Sequence, residues 1–461
     1  MKRIILVLLA LAIMLSSLIV PASASAFDAG YDGSEVTITF YHTMGSNLTA
    51  VLDQYIAEFN NLYPNIHVEY TSVGGYDDVR EQVSTEITVG AQPNIAYCYP
   101  DHVALYNLAM AVQTLDELIE SQTVVTRADG TTEILGLTEE QKADFVEGYY
   151  AEGKQFGDGL MYTMPISKST EVLYYNKTFF EANNLTVPTT WDELEAVCAK
   201  IKEIDPMSIP LGYDSEANWF INMTEQYDSE YTSASEPYFL FDNETNRAFI
   251  KRFREWYEKG YLTTQTLYGA YTSGLFTSTS EVKSYISIGS SAGATYQRPA
   301  ADAKGNYPFE VGIATIPQVS ADNRKVISQG PSVCIFKKSN PQEVIASWLF
   351  VKYLTTSVEF QAEFSMASGY VPVLKSVSEN PVYAEFLANA DGGNYVSALS
   401  AKVCLEQADA YYTSPAFNGS SEARDQVGAL LCACLSGAGD ADTVIANAFE
   451  AAIEECEYSV W

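Results

Sequence analysis

The pentapeptide GSSAG at residues 289–293 matches the G-x-S-x-G pattern of a hydrolase nucleophile elbow, with Ser291 in the nucleophile position. It follows an apolar run that ends at Ile288, as an elbow between a strand and a helix should. In hydrolases of that fold, however, the catalytic histidine follows the serine in the chain. All the histidines of this chain precede it, at His42, His67 and His102. The pattern therefore favours a Gly- and Ser-rich turn, whose amides and hydroxyls can face a ligand at a strand end.

Other motifs with catalytic or metal-binding potential are incomplete. Residues 148–155, GYYAEGKQ, come within one residue of a phosphate-binding P-loop, but Gln155 replaces the required Ser or Thr and no predicted strand precedes it. The histidines show neither HxxxH nor HxH spacing, which argues against a zinc site. No carboxylate pair stands out among the 59 acidic residues as a candidate for glycoside hydrolysis. We therefore predict no catalytic residues, no metal and no cofactor.

Aromatic residues are abundant, with 32 Tyr and 5 Trp in 461 residues. Sugar-binding sites use such rings to stack on the apolar faces of pyranoses, while hydroxyl, amide and carboxyl groups fix the orientation. The composition therefore agrees with carbohydrate binding. Any single tyrosine is nevertheless more often a core or surface residue than a ligand contact.

The elements that would position these residues alternate between strands and helices, which predicts α/β layers. Apolar runs predict strands at residues 36–41, 66–73, 94–99, 172–176, 285–288, 311–316 and 333–336. A first amphipathic helix begins after Ser46 or Asn47 and ends before Pro64. The length is too great for one ordinary core and suits two lobes.

Two further helices are predicted to begin at capping boxes, one at Thr190 with Glu193 and one at Thr114 with Glu117. Another begins at Pro341. The helix after Thr190 carries an apolar face made of Trp191, Leu194, Cys198, Ile201 and Ile204. These apolar faces are predicted to be core, without a chemical role.

The first 26 residues are typical of a secretory signal peptide, with Lys2 and Arg3, an apolar stretch, and small residues at 22–26. No lipoprotein anchor is predicted, because the first cysteine is Cys98. The formal net charge is −33, and removal of the two basic residues with no acidic residue takes it to −35. Such a charge argues against a nucleic-acid partner and against strongly anionic ligands.

Seven cysteines are an odd number, so at least one stays unpaired in a monomer. Cys432 and Cys434 lie one residue apart in a helical run and should point to different faces. We predict that most cysteines are buried small hydrophobic residues.

Residues 165–194, PISKSTEVLYYNKTFFEANNLTVPTTWDEL, resemble the lobe-crossover segment of family 1 extracellular solute-binding proteins, the receptors of ABC importers for sugars and glycerol phosphates. Further similar segments are TITFYHTM at 37–44, GAQPNIAYCYP at 90–100 and GYVPV at 369–373. The resemblance implies a periplasmic-binding-protein-like α/β fold, in which a multi-strand hinge joins two lobes around a ligand cleft. We predict that residues 36–168 and 301–330 form lobe 1, and that residues 169–300 and 331–461 form lobe 2.

The resemblance to the glycerol-3-phosphate-binding branch implies ligand contacts at Tyr76, Ser169, Trp219, Ser290 or Ser291, Gly330 and Tyr370. In this prediction Tyr76 and Trp219 stack on the ligand, Ser169 and Tyr370 donate hydrogen bonds, and Gly330 lets the backbone approach. Two departures from that branch favour a neutral sugar over a phosphate. Pro100 replaces a glutamate, and residues 414–420 lack the arginine that holds phosphate, since Arg424 lies further on.

The sequence therefore predicts a secreted, monomeric, non-enzymatic receptor that delivers a small carbohydrate to the membrane subunits of an ABC importer. Two alternatives stay open. One is a receptor for glycerol 3-phosphate or a glycerophosphodiester. The other belongs to a different class, a secreted carbohydrate-active enzyme, which would show turnover and a carboxylate pair beside the bound sugar.

Overall fold

The computed structural model describes residues 26–389 and 395–460. The predicted signal peptide, residues 1–26, lies outside this part of the chain except for its last residue. Within these ranges no helix is long and apolar enough to cross a membrane. The strands are β1 (Val36–His42), β2 (Ile66–Ser72), β3 (Ile95–Cys98), β4 (Val124–Thr126), β5 (Thr132–Ile134), β6 (Thr163–Pro165), β7 (Ser169–Asn176), β8 (Leu211–Tyr213), β9 (Leu262–Thr264), β10 (Ile286–Ser290), β11 (Val311–Thr315), β12 (Val326–Gln329), β13 (Ser332–Ile335) and β14 (Tyr411–Tyr412).

Helices follow most of these strands, as an α/β chain requires. They are α1 (Ser46–Leu62), α2 (Tyr76–Ile87), α3 (Pro100–Asn107), α4 (Asp116–Glu120), α5 (Glu139–Asp144), α6 (Glu147–Ala151), α7 (Lys177–Ala182), α8 (Trp191–Ile204), α9 (Glu216–Gln226), α10 (Glu244–Glu258), α11 (Gln265–Tyr268), α12 (Ser273–Phe276), α13 (Pro341–Thr356), α14 (Val358–Ala367), α15 (Pro381–Ala388), α16 (Tyr395–Glu406), α17 (Ser420–Ser436) and α18 (Ala441–Ser459). Short 3₁₀ turns lie at Glu152–Lys154, Ser291–Gln297, Lys375–Glu379 and Ala408–Ala410.

Two large sheets organise the molecule. The first has five strands in the order β2-β1-β3-β13-β6, and the second has seven, in the order β14-β12-β7-β10-β8-β9 with β11 also paired to β7. The first six residues of β7 are all buried, as expected for a strand covered on both faces. We call the first sheet with its packed helices lobe 1, and the second sheet with its helices lobe 2.

The seven predicted strands are all present, although β7 begins three residues earlier than predicted, at Ser169. The capping box of α8 is also confirmed, since Thr190 Oγ1 accepts a hydrogen bond from the Glu193 amide at 3.2 Å. The box predicted at Thr114 was wrong, because α4 begins at Asp116 without a side-chain cap. The first four residues of the predicted α8 face are buried, whereas Ile204 is 40% exposed at the helix end.

The predicted lobe assignment was wrong for the segments on either side of residue 330. Strands β11 and β12 pair with β7 and so belong to lobe 2. Strand β13 pairs with β3 and β6, and α13 and α14 pack in the core of lobe 1. The chain therefore returns to lobe 1 only after β12, because β12 hydrogen-bonds to β7 before the crossover. Helices α17 and α18 pack in lobe 2.

The crossovers β6–β7 and β12–β13 lie side by side between the lobes and meet at a buried ion pair. Lys168 Nζ lies 2.6 Å from the carboxylate of Glu152, and their side chains are 0% and 2% exposed. The same ammonium donates to the Gly330 carbonyl at 3.3 Å and to Ser332 Oγ at 3.1 Å. The ion pair therefore ties both crossovers to the 3₁₀ turn that contains Glu152.

Gly330 is needed where the crossovers touch. Its φ is +101°, and a Cβ atom would lie 2.8 Å from Lys168 Cα and from the Ser169 amide nitrogen. We expect Gly330→Ala to lower the free energy of unfolding by about 2–3 kcal/mol, through left-handed strain and backbone overlap. Gly157→Ala is the matched control, since Gly157 has φ +85° but nothing within 4 Å of a Cβ. Equal losses in urea titrations of the two variants would contradict this explanation.

Candidate ligand-binding cleft

A cavity of about 1170 Å³ lies between the two lobes. Its walls are formed by segments in which a strand ends and a helix or a loop begins. In lobe 1 these include the N-terminus of α2 and the start of α3, and in lobe 2 the N-terminus of α9 and the end of β10. Ligands of open α/β folds bind in such crevices, because the strand ends leave backbone groups and loop side chains unoccupied.

Four of the predicted site residues line this cavity, namely Tyr76, Ser169, Ser290 and Tyr370. The hydroxyls of Tyr76 and Tyr370 lie 3.1 Å apart, although 294 positions separate them in the chain. Burial raises the pKa of both phenols, so both hydroxyls stay neutral and able to donate at physiological pH. The fold thus brings together the residues that the resemblance proposed on lobe 1 and at the crossover.

Trp219 does not line the cavity, and its predicted stacking role was wrong. The ring is fully buried in the lobe 2 core, stacked on Tyr213 with ring centroids 4.6 Å apart. Its neighbour Asn218 lines the cavity instead. Successive residues of a helix point about 100° apart, so the residue before the tryptophan faces the ligand side of α9.

Two other predicted contacts lie behind the cleft surface. Ser291 is fully buried, and its hydroxyl accepts a hydrogen bond from the Thr170 amide at 3.2 Å. Gly330 does not line the cavity. The backbone that lies close to Gly330 is that of the neighbouring crossover, at Lys168 and Ser169. The GSSAG segment therefore contributes Ser290 to the wall, while Ser291 supports β7.

A stack of tyrosine rings forms part of the lobe 1 wall. The Tyr76 and Tyr99 rings are stacked with centroids 4.4 Å apart, and Tyr97 lies behind at 6.4 Å from Tyr76. Tyr99 also lines the cavity, although the sequence analysis did not select it. Its position at the end of the predicted strand 94–99 is the signal that could have identified it. The stack offers a flat apolar surface beside polar groups.

Arg424 of α17 reaches the cavity from lobe 2. Its guanidinium donates to Asn218 Oδ1 and, at 3.5 Å, to Gln329 Oε1. Gln329 Oε1 also accepts from the Asn218 amide at 3.0 Å. Residues 414–420 indeed contain no arginine, but the cleft receives one from the next helix. The folded cleft therefore does contain an arginine, so the lack of one at residues 414–420 no longer favours a neutral ligand over a phosphate.

The cleft is nevertheless rich in carboxylates. The acidic residues on its surface are Asp77, Asp101, Asp214, Glu216 and Asp425, and among the described residues Arg424 is the one Lys or Arg that lines it. Burial raises the pKa of Asp214. Burial also acts to raise the pKa of Glu216, but hydrogen bonds from Thr264 and Thr266 lower it overall. Burial lowers the pKa of His102 in the same wall, so its imidazole adds no charge at neutral pH.

The remaining motifs have structural roles. Residues 148–155 lie in α6 and the following 3₁₀ turn, where Glu152 belongs to the crossover ion pair. Cys434 is buried and Cys432 lines the cleft, so the two thiols do point to different faces. Across residues 26–389 and 395–460, no group of three or more His, Cys, Asp and Glu side chains is arranged to hold a metal ion.

The chain matches the family described as bacterial extracellular solute-binding protein over residues 54–390. The sn-glycerol-3-phosphate-binding periplasmic protein UgpB of Escherichia coli (strain K12) is 27% identical over 169 residues, 36% of this chain and 35% of that protein. The protein of the same name from Shigella flexneri is 29% identical over 182 residues, 39% of this chain and 38% of that protein. The chain therefore spans little more than a third of the length of these curated relatives.

Solved structures show the same fold. UgpB from Mycobacterium tuberculosis, in complex with glycerophosphocholine, has a TM-score of 0.73 at 17% identity and covers 92% of this chain and 100% of that chain. The GacH receptor of Streptomyces glaucescens, solved unliganded and with acarbose, has a TM-score of 0.70 at 18% identity and covers 91% and 98%. Maltose-bound MalE3 of T. maritima has a TM-score of 0.68 at 18% identity and covers 91% and 99%. The predicted two-lobed, periplasmic-binding-protein-like fold is confirmed.

Proposed function

Because the chain belongs to the bacterial extracellular solute-binding protein family, we propose that it captures a neutral carbohydrate in the interlobe cleft. In this proposal Tyr76, Ser169, Ser290 and Tyr370 contact the ligand, and Tyr99 adds stacking surface. The protein is secreted, acts as a monomer, and presents the sugar to the membrane subunits of an ABC importer without altering it.

The observation that carries the proposal is the pairing of a tyrosine stack on one wall with acidic and amide groups on the other. Flat rings fit the apolar faces of pyranoses. Carboxylates accept hydrogen bonds from sugar hydroxyls, and Arg424 and Asn218 supply donors. A neutral polyol can satisfy these groups, whereas a dianion would meet the guanidinium of Arg424 and five carboxylates, of which only Asp77 and Asp425 are paired with Arg80.

Ligand capture requires the two lobes to move towards each other, and in this proposal the crossovers form the hinge. Both crossovers pass through the same place, beside Lys168 and Gly330, so small backbone rotations there swing one lobe relative to the other. Closure would bring Asn218 and Arg424 of lobe 2 towards the tyrosine stack of lobe 1. The bound sugar would then be enclosed by both walls.

A thermal-shift screen tests the proposal directly. A panel of neutral mono- and oligosaccharides would be compared with glycerol 3-phosphate and glycerophosphocholine. A ligand present at 100 times its dissociation constant should add about 2.7 kcal/mol to the stability of the native state. The sugar should be recovered unchanged after long incubation with substoichiometric protein, and a hydrolysed product would instead indicate an enzyme.

A glycerophosphodiester is the second candidate, and the presence of Arg424 in the cleft favours it. The variant Arg424→Gln separates the two. For a neutral sugar we expect binding to weaken by about 3- to 10-fold, the effect of losing hydrogen bonds to uncharged hydroxyls. For a phosphodiester the loss should exceed roughly 30-fold, because an anion would lose its charged partner.

Titration calorimetry with the sugar and with glycerophosphocholine provides the measurement. Arg298→Gln is the control, because this arginine stacks over Tyr307 and does not line the cleft. Tight binding of glycerophosphocholine that disappears in Arg424→Gln, with no heat from any sugar, would replace the carbohydrate assignment.

A further inference from the structure

Two tyrosine rings on the lobe 2 side of the cleft are largely uncovered. Tyr271 is 66% exposed and Tyr296 is 74% exposed, and both line the interlobe cavity. We call them the outer tyrosines. Within the described part of the chain, neither ring stacks on another ring, in contrast to the Tyr76–Tyr99 stack of lobe 1. Two large aromatic side chains left open in one concave site are a feature that packing of the protein itself does not explain.

The backbone under each outer tyrosine is firmly held. Tyr271 precedes the fully buried Thr272, whose amide donates to Asp214 Oδ1 at 2.7 Å. Tyr296 precedes Gln297, which is 3% exposed and donates through its side-chain amide to Ser287 Oγ at 3.1 Å. The rings therefore project into the cleft from anchored positions. Because this backbone is already fixed, stacking of a ligand on either ring restricts only the side-chain torsions.

The outer tyrosines are also placed to act with lobe 1. Tyr370 of lobe 1 and the two outer tyrosines of lobe 2 line the same cavity. The cavity of about 1170 Å³ is larger than the roughly 300–1,000 Å³ typical of small-molecule sites. Space for more than one sugar ring is therefore present beside two largely exposed rings.

We propose that Tyr271 and Tyr296 form an outer subsite that stacks on sugar rings beyond the one held at the Tyr76–Tyr99 stack, so that the ligand is an oligosaccharide. This inference rests on the carbohydrate assignment above and names its size class. The inner tyrosine stack holds one ring of the ligand, and the outer tyrosines select for chain length. Glucose or xylose alone would leave the outer rings unoccupied.

The test measures affinity against chain length by titration calorimetry. The probes are glucose to maltotetraose and xylose to xylotetraose. For wild type we expect at least tenfold tighter binding of a tri- or tetrasaccharide than of the monosaccharide in one series. The double variant Tyr271→Ala/Tyr296→Ala should bind that longer sugar at least tenfold more weakly and change monosaccharide binding less than twofold.

Tyr458→Ala is the matched control, since Tyr458 is 79% exposed and lies outside the cleft. It should bind every probe as wild type does. Equal wild-type affinities along both series, or a double variant that binds long sugars like wild type, would overturn the outer subsite and leave the carbohydrate assignment standing. If no sugar of any length binds to wild type, the carbohydrate assignment fails and the outer subsite fails with it.

Discussion

Lys168→Met is expected to lower the free energy of unfolding by about 3–5 kcal/mol. The substitution removes the positive partner of Glu152 and leaves a carboxylate that is 2% exposed at the crossover. It also removes the donor to the Gly330 carbonyl and Ser332 Oγ. An uncompensated buried charge costs far more than the loss of the same pair on the surface. Urea unfolding followed by circular dichroism gives the difference.

Lys177→Met is the matched control for this effect. Lys177 pairs with Glu310 at the same 2.6 Å, but its side chain is 35% exposed. Water and salt screen such a pair, so its loss should cost less than about 1 kcal/mol. The double variant Lys168→Met/Glu152→Leu should recover much of the stability, since no buried charge remains. A double variant as unstable as Lys168→Met would show that the cost comes from packing.

The second large effect concerns Glu171, the third residue of β7. Burial raises the pKa of this carboxyl from 4.5 to about 8, against hydrogen bonds that favour its charged form. One oxygen accepts from the Tyr213 hydroxyl at 2.5 Å and from the Asn222 side-chain amide at 2.7 Å, while the other has no hydrogen-bond partner among the described residues. We therefore expect the native state to hold a proton on Glu171 at neutral pH.

A carboxyl whose pKa is higher in the native than in the unfolded state contributes stability that is complete below pH 4.5 and is lost as the pH rises to 8. We expect this contribution to fall by about 4 kcal/mol by pH 8, at ~1.36 kcal/mol per pKa unit. Glu171→Gln keeps the shape and cannot ionise. Its stability relative to wild type should rise by that amount between pH 4.5 and 8, in urea titrations at fixed salt. A constant difference across this range would show that Glu171 is already ionised in the native protein.

Local patterns in the sequence were enough to predict much of the fold. The strand at residues 36–41 alternates between apolar and polar residues, and the helix after Thr190 carries both its cap and its apolar face within fifteen residues. Such signals depend on neighbours along the chain, so they persist whatever the tertiary arrangement. The short strands β4, β5, β6, β8, β9, β12 and β14 were missed, because all but β12 have only two or three residues, too few to show a period.

The site was predictable only where a motif of the family covered it. Ser169 and Tyr370 lie in such segments, and the structure places both of them, together with Tyr76, on the cleft wall. Tyr99 and Asn218 were missed, because each stands beside a residue that the motif comparison emphasised. Tyr271 and Tyr296 carry no sequence signal, since an exposed tyrosine in a cleft and one on an outer surface have the same local context.

By itself, the sequence determined the family resemblance, the α/β class, the alternation of strands and helices, and the strongly acidic charge. The tertiary structure alone decided which lobe holds β11 to β13, because strand pairing joins residues more than 100 positions apart. It also decided that Trp219 packs in the core while Asn218 faces the ligand, since a helix turns each residue about 100° from the last. Arg424 reaches the cleft because of the way α17 packs within lobe 2, and no local pattern in the sequence records how a helix packs.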